Sequence, residues 1–270
     1  MLQGKCRGEE QAIVKVCVLA TSSAGNSTYI GTDRTRILVD AGLSRRETLR
    51  RLEAIGEPIE KLDAILITHE HSDHVSSLVS LARRKGPGLP IYISKLTAPA
   101  IAWNGFEPVL ECFQAGTAFT IGDLLIQSFT IPHDAADPVG FTFRAGGVKI
   151  GLAMDLGYIP ESVKHHLAGS DLVVLESNHD LYMLKVGPYP WSVKQRVMGR
   201  RGHLSNDAVS EFILDGMDSG THTLVLGHLS EHNNYPATVD LVGHQALERR
   251  AASTRLVVAE PGRQSEVFLY

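Results

Sequence analysis

The 270-residue sequence is poor in cysteine: Cys6, Cys17 and Cys112 are an odd set with no Cys-x-x-Cys pair. A disulfide framework and a thiolate zinc site are therefore not expected, and a reducing cytoplasm fits best. No stretch approaches the roughly 18 consecutive apolar residues of a membrane span. The segment from Met1 to Gln11 is too polar to serve as a signal peptide. Export and membrane anchoring are thus not expected. The net charge of -4 gives no global attraction to nucleic acid, so a nuclease of this composition must concentrate its cations locally. Low-complexity tracts, long charge blocks, linkers and short repeats are also missing, which predicts a single domain over residues 1–270.

What is present is an ordinary globular composition, 43% hydrophobic and 21% charged, enough to bury a sizeable core. Apolar, β-branched runs predict strands at Ile13–Ala20, Thr28–Gly31, Arg36–Asp40, Ala64–Thr68 and Ile91–Ser94. Further strands are expected at Leu124–Ile131, Gly140–Arg144, Val148–Met154, Asp171–Glu176, Thr223–Leu226 and Arg255–Ala259. Helical periodicity marks Ser44–Ile55, Val75–Arg84, Pro160–Leu167, Asn206–Met217 and Thr238–Arg249, with Ser205-Asn206 as an N-cap. A layered α/β architecture follows, although periodicity does not separate an αββα sandwich from a doubly wound sheet.

Twelve histidines are the compositional oddity. The strand from Ala64 to Thr68 runs directly into His69-Glu70-His71-Ser72-Asp73-His74, and a helical pattern follows. His69 and His71 can project to one side of an extended backbone, while Asp73 and His74 lie where the chain turns and can face a second centre. Imidazole with carboxylate suits zinc, manganese or iron. His133, Asp155 and His228 each stand just past a predicted strand. Any one of them alone reads as structural; taken with the first run they complete two coordination spheres.

The order His-x-His-x-Asp-His, then a distant His, Asp and His, resembles the metallo-β-lactamase superfamily. That resemblance implies an αββα sandwich with the site at one rim. It implies one metal on His69, His71 and His133, a second on Asp73, His74 and His228, and Asp155 bridging. Asp40, in Leu38-Val39-Asp40-Ala41-Gly42, matches the superfamily's early aspartate, which orders the ligand loop. Five further segments are similar to the bacterial YycJ/WalJ group: Thr21 to Thr28, Pro132 to Phe141, Leu175 to Asp180, Gly202 to Asn206 and Gly227 to Ser230. This narrower resemblance implies 5′-to-3′ exonuclease activity on DNA. Two departures stand out: Val75-Ser76-Ser77, where an apolar residue soon followed by glycine is usual, and Glu231-His232, where two acidic residues are expected.

Two divalent ions about 3.5 to 4 Å apart can hold a bridging hydroxide, clamp a phosphate oxygen and offset developing charge. Zinc or manganese is expected, with magnesium or iron as alternatives. Asp73, Asp155 and His203 are the candidate catalytic residues, His203 as proton donor to the leaving alkoxide. Each ligating imidazole needs an acceptor for its other nitrogen, and Asp40 and Asp134 are the candidates. Asn26, Asn178, His179, His203 and Ser205 are the candidate substrate contacts. Segment 181–203 is read as a substrate-covering insertion. It supplies cations at Lys185, Lys194, Arg196, Arg200 and Arg201, interleaved with the stacking rings of Tyr182, Tyr189 and Trp191. Arg45, Arg46, Arg50 and Arg51 read as an exposed helix face, and His165, His166, His222 and His244 as surface or packing residues. The competing functions are a small-molecule hydrolase acting on thioesters, lactones or cyclic phosphodiesters, and a metal-stabilised binding protein without turnover.

Overall fold

A computed structural model describes residues 13–86 and 88–270. Cys6 and the polar N-terminal stretch lie outside the described residues. The first sheet takes β1 (Lys15–Ala20), β2 (Ser27–Gly31), β3 (Arg36–Val39), β4 (Ala64–Leu66), β5 (Pro90–Ser94) and β6 (Val109–Phe113). The second takes β7 (Ala118–Ile121), β8 (Leu124–Thr130), β9 (Val139–Ala145), β10 (Val148–Ala153), β11 (Leu172–Glu176), β12 (Thr223–Gly227) and β13 (Arg255–Val258). The C-terminal β14 (Phe268–Leu269) returns to the first sheet, giving the orders β14-β1-β2-β3-β4-β5-β6 and β13-β12-β11-β10-β9-β8-β7. Both sheets are mixed: antiparallel from β14 to β3 and from β7 to β10, parallel in their remaining pairs.

Strand alternation assigns each side chain to a layer. In β11, Leu172 and Val174 point between the sheets, where they join Val16, Val18, Ile37, Phe141, Phe143 and Ile150. Val173 and Leu175 point outward, onto Val163 and Leu167 of α4 (Glu161–Leu167) and Val239 and Leu247 of α8 (Pro236–Arg250). The first sheet is covered in the same way by Leu52 of α1 (Arg45–Ala54) and by Leu78, Leu81 and Ala82 of α3 (Leu78–Lys85). The result is a four-layer αββα sandwich. Strands buried on both faces explain why their sequences read as continuous apolar runs.

The helix expected over Val75–Arg84 is broken. A single turn, α2 (Ser72–Val75), is separated from α3 because Ser76 Oγ donates to the Gly42 carbonyl while Ser77 donates through both backbone and side chain to Ala41 O. Segment 181–203 contains two short helices, α5 (Leu181–Val186) and α6 (Trp191–Val197). The end of α7 (Asn206–Glu211) widens into a π-turn over Phe212–Gly216. The edge strands β6 and β7 were not anticipated, since half-exposed edge residues carry little apolar patterning. Arg51 corrects the expectation of an exposed arginine face: it is buried and donates to Leu19 O and Gly262 O, tying α1 to β1 and the C-terminal tail. Among the described residues no helix is long and apolar enough to cross a membrane.

The loops after β1 and β3 clasp the His71–Ser77 turn. Asn26 N donates to Asp73 O at 2.7 Å, and Ala41 N to His74 O at 2.7 Å. A Cβ on Gly42 would lie 1.6 Å from Asp73 O, so only glycine lets these backbones approach. Gly42→Ala should cost about 1–3 kcal/mol or more by this overpacking. Denaturant melts check it, and an unchanged midpoint would mean that the turn yields freely.

Candidate metal centre

Every element of the site ends at one rim of the sandwich. His69 and His71 follow β4, His133 follows β8, Asp155 follows β10, Glu176 ends β11 and His228 follows β12. Asp40, Asp155 and His228 adopt left-handed backbone, with φ of 60°, 60° and 57°. Such conformations cost on the order of 1 kcal/mol or more each and persist where surrounding contacts over-determine them. Here they reverse the chain at strand ends and direct three polar side chains into one site.

Within this rim, the ligand atoms of His69, His71 and His133 lie within 4.8 Å of one another, as do those of Asp73, His74 and His228. Asp155 groups with His69 and His74 on the same criterion, and so stands between the two sets. His133 Nε2 is 3.2 Å from His71 Nδ1, and His228 Nε2 is 3.6 Å from Asp73 Oδ2 and 3.5 Å from Asp155 Oδ1. His69 Nε2, His228 Nε2 and Asp155 Oδ2 are buried with no hydrogen-bond partner among the described residues. Leaving such atoms unmet is costly. A converging set of unmet imidazole nitrogens and a carboxylate oxygen fits divalent cations such as zinc or manganese.

His74 makes the case most sharply. Its Nδ1 donates to Asp40 Oδ2 at 2.8 Å, which leaves Nε2 2.9 Å from Asp155 Oδ2. Nε2 is thus turned into the carboxylate set, where Asn26 Nδ2 is its other near neighbour at 3.0 Å. In the metal-free protein burial lowers the His74 pKa, but Asp40 and Asp155 outweigh it and hold the group well above its ordinary value. Burial likewise lowers His228, and Asp155, Asp73 and Glu176 together push it up to about 10. Asp155 is held well below the usual carboxylate range, burial being outweighed by His228 and His74. His69 is driven the other way, by burial and then by the charge of His74. Positive charge is thus favoured on the two imidazoles nearest the carboxylates.

Glu176, a residue at the end of an otherwise apolar strand, organises the far side. It is fully buried, and its Oε1 accepts from His203 Nδ1 at 2.6 Å and from His228 Nδ1 at 2.8 Å. Its Oε2 accepts from the backbone of Leu156 and Leu204. Both oxygens are therefore engaged, which makes Glu176 a holder of histidines rather than a ligand, although its atoms also group with Asp155, His203 and His228. Sequence reasoning gave it no role. A lone carboxylate closing a buried strand is the signal that could have found it.

The other candidates divide. Asp40 accepts from His74 Nδ1 and also from Thr68 N and Oγ1. Asp134 Oδ2 is held by Arg196 Nε at 2.6 Å and its Oδ1 lies 3.5 Å from His133 Nε2, while His133 Nδ1 donates to the Gly202 carbonyl. Asn26 and Asn178 are both buried and occupied within the fold. Asn26 Nδ2 contacts Asp73 Oδ2 and His74 Nε2, and Asn178 Nδ2 donates to His228 O. Ser205 caps α7 by accepting from Ala208 N, and His203 remains partly open to solvent. Lys194 corrects the reading of a free cation, because it is buried and donates to Lys185 O and Gly187 O. His179 is 1% exposed with neither ring nitrogen partnered among the described residues.

Histidines and aspartates gathered at one rim of an αββα sandwich define a class, the metal-dependent hydrolases of this fold. The chain belongs to the β-lactamase superfamily, whose domain model, described as Beta-lactamase superfamily domain, matches residues 35–229, and within it to the YycJ/WalJ group. It is 36% identical over 241 residues to Exodeoxyribonuclease YycJ of Bacillus anthracis, covering 86% of this chain and 89% of that protein. It is also 36% identical over 225 residues to Exodeoxyribonuclease WalJ of Streptococcus pneumoniae serotype 2, covering 82% and 83%. The crystal structure of the metallo-β-lactamase fold protein YhfI from Bacillus subtilis superposes with a TM-score of 0.71 at 20% identity, covering 96% of this chain and 100% of that one. The protein is accordingly a hydrolase of the metallo-β-lactamase fold.

His179 generates a pH dependence. Burial holds its pKa down at about 4, against roughly 6.5 when unfolded. The unfolded chain therefore binds this proton first as pH falls. Stability from the neutral buried ring is complete above about pH 6.5 and is lost down to about pH 4, amounting to about 3 kcal/mol. In urea melts across that window His179→Gln should lose less stability than wild type. Parallel losses would show that the ring is not buried neutral.

Proposed function

We propose that the protein is a two-metal phosphodiesterase that degrades DNA as a 5′-to-3′ exonuclease. The observation that carries the hydrolytic part is the His203–Glu176 pair, 3.4 Å from Asp155 through His203 Nδ1. The DNA part rests on the printed activity of the YycJ and WalJ relatives. His69, His71 and His133 would hold one ion and Asp73, His74 and His228 the other, with Asp155 between them. Bound there, such ions would acidify a water for attack and offset the charge of the phosphate undergoing displacement; zinc and manganese suit these donors, with magnesium or iron as alternatives.

The chain's own groups supply the rest. Burial lowers the His203 pKa, but Glu176 and then Asp155 outweigh it and raise the group above its ordinary value. Because Nδ1 is engaged by Glu176, Nε2 is the ring nitrogen from which a proton can pass to a departing 3′-alkoxide. Glu176 keeps the ring oriented and favours its protonated form. Asp40 fixes His74 in the tautomer that offers Nε2 to the centre.

A cavity of about 520 Å³ opens beside His133, lined in part by Tyr158, Arg200 and Arg201. Arg200 lies over the Tyr158 ring at 4.3 Å, and Arg201 Nε donates to His133 O. In the same 181–203 segment as Arg200 and Arg201, α5 and α6 expose Tyr182, Trp191 and Arg196. Stacking rings beside guanidinium groups suit a single strand leading into the centre. Segment 181–203 would thus be the substrate-covering part of the domain.

The purified, manganese-loaded protein should release mononucleotides from the 5′ end of end-labelled DNA, and Asp155→Ala should abolish this. His203→Gln should lower kcat by about 10²–10⁴-fold, with the pH profile losing its basic limb. Turnover of a thioester or cyclic nucleotide with no cleavage of any DNA would overturn the nuclease reading.

A further inference from the structure

On the outer face of the second sheet, beneath the C-terminal end of α4, lies a groove of about 480 Å³. Its polar lining comes from Gln127 of β8, Thr142 and Arg144 of β9, Lys149 of β10, and His165 and His166 of α4. Every titratable residue of the lining is basic. Arg144 and Lys149 are directly opposed across the β9–β10 pair, an arrangement that like charges disfavour unless something neutralises them. Among the described residues none of these four basic side chains forms an ion pair with a carboxylate.

Lys149 is 5% exposed, and its ammonium donates to the Ala168 carbonyl, leaving two N–H donors for a ligand. Burial and then the charge of Arg144 lower its pKa, only partly offset by Asp218. His166 is lowered by burial and then by His165 and Lys149. Its ring is clamped by stacking on Phe129 at 4.8 Å and 8°. The groove thus sets a guanidinium, an ammonium and two imidazoles on two strands and one helix, with Lys149 and His166 held by the fold.

We infer that this groove is a phosphate-binding site separate from the metal centre. The guanidinium of Arg144 can grip two phosphate oxygens, Lys149 and the two imidazoles supply further donors, and the volume accommodates a mononucleotide-sized group. Lys149 precedes Asp155 by six positions along β10 and its exit loop, which puts the groove roughly 20 Å from the metal centre. Its ligand is a phosphate-bearing anion, supplied by a free nucleotide or by the backbone of a bound nucleic acid. The inference rests on the groove alone and does not depend on the nuclease reading.

The test compares the metal-loaded wild type with an Arg144→Gln, His165→Gln variant, whose substitutions fall on exposed side chains. Inorganic phosphate, dAMP and a 20-base-pair DNA duplex with hydrolysis-resistant phosphorothioate linkages are titrated calorimetrically into both. Hydrolysis of bis(p-nitrophenyl) phosphate should be equal in the two and reports an intact metal centre. Affinity for phosphate and dAMP lower by tenfold or more in the variant supports a free-nucleotide ligand. A tenfold loss confined to the duplex, with a shallower salt dependence, supports the nucleic-acid backbone. Identical isotherms for all three ligands would overturn the site.

Discussion

The centre depends on one buried contact, between His74 Nε2 and Asp155 Oδ2 at 2.9 Å. Asp40 takes the other nitrogen of the same ring, so His74 Nε2 is turned toward Asp155 and into the centre. Around this contact three carboxylates, Asp73, Asp155 and Glu176, are balanced by His74, His203 and His228. A buried carboxylate without such partners would be expelled or neutralised. Divalent ions held there would offset the carboxylate charge, and because a ligating imidazole must be neutral, their uptake would depend on pH.

The fold supplies what that balance needs. Two sheets buried on both faces give rigid strand ends at one rim, and left-handed residues turn Asp40, Asp155 and His228 back into the site. Loops after β1 and β3 bond the backbone of Asp73 and His74, while Asn178 and Glu176 hold His228 from behind. These side chains are therefore set by backbone and buried hydrogen bonds, the preorganisation that a metal centre and electrostatic catalysis would both require.

Much of this was legible in the sequence. The strand leading into His69, the period-two placement of His71 and the strand-end positions of His133, Asp155 and His228 are local patterns, and the structure brings those residues together. Glu176 was not legible as a site residue, because its role comes from hydrogen bonds to residues 27 and 52 positions away. The break at Ser76-Ser77 was hidden for the same reason: both serines bond to a distant loop that no helical period reveals. Charge alone also misled. Arg51 reads as part of an exposed helix face and Lys194 as a cation for a substrate strand, yet both are buried and donate to backbone carbonyls.

The central claim, that these side chains form one shared centre for two ions, is tested most directly by counting metal. Elemental mass spectrometry of manganese- or zinc-reconstituted protein should give two ions per chain for wild type and at most one for Asp155→Ala, with both variants folded by circular dichroism. An equal count in the two proteins, or none in wild type, would contradict it.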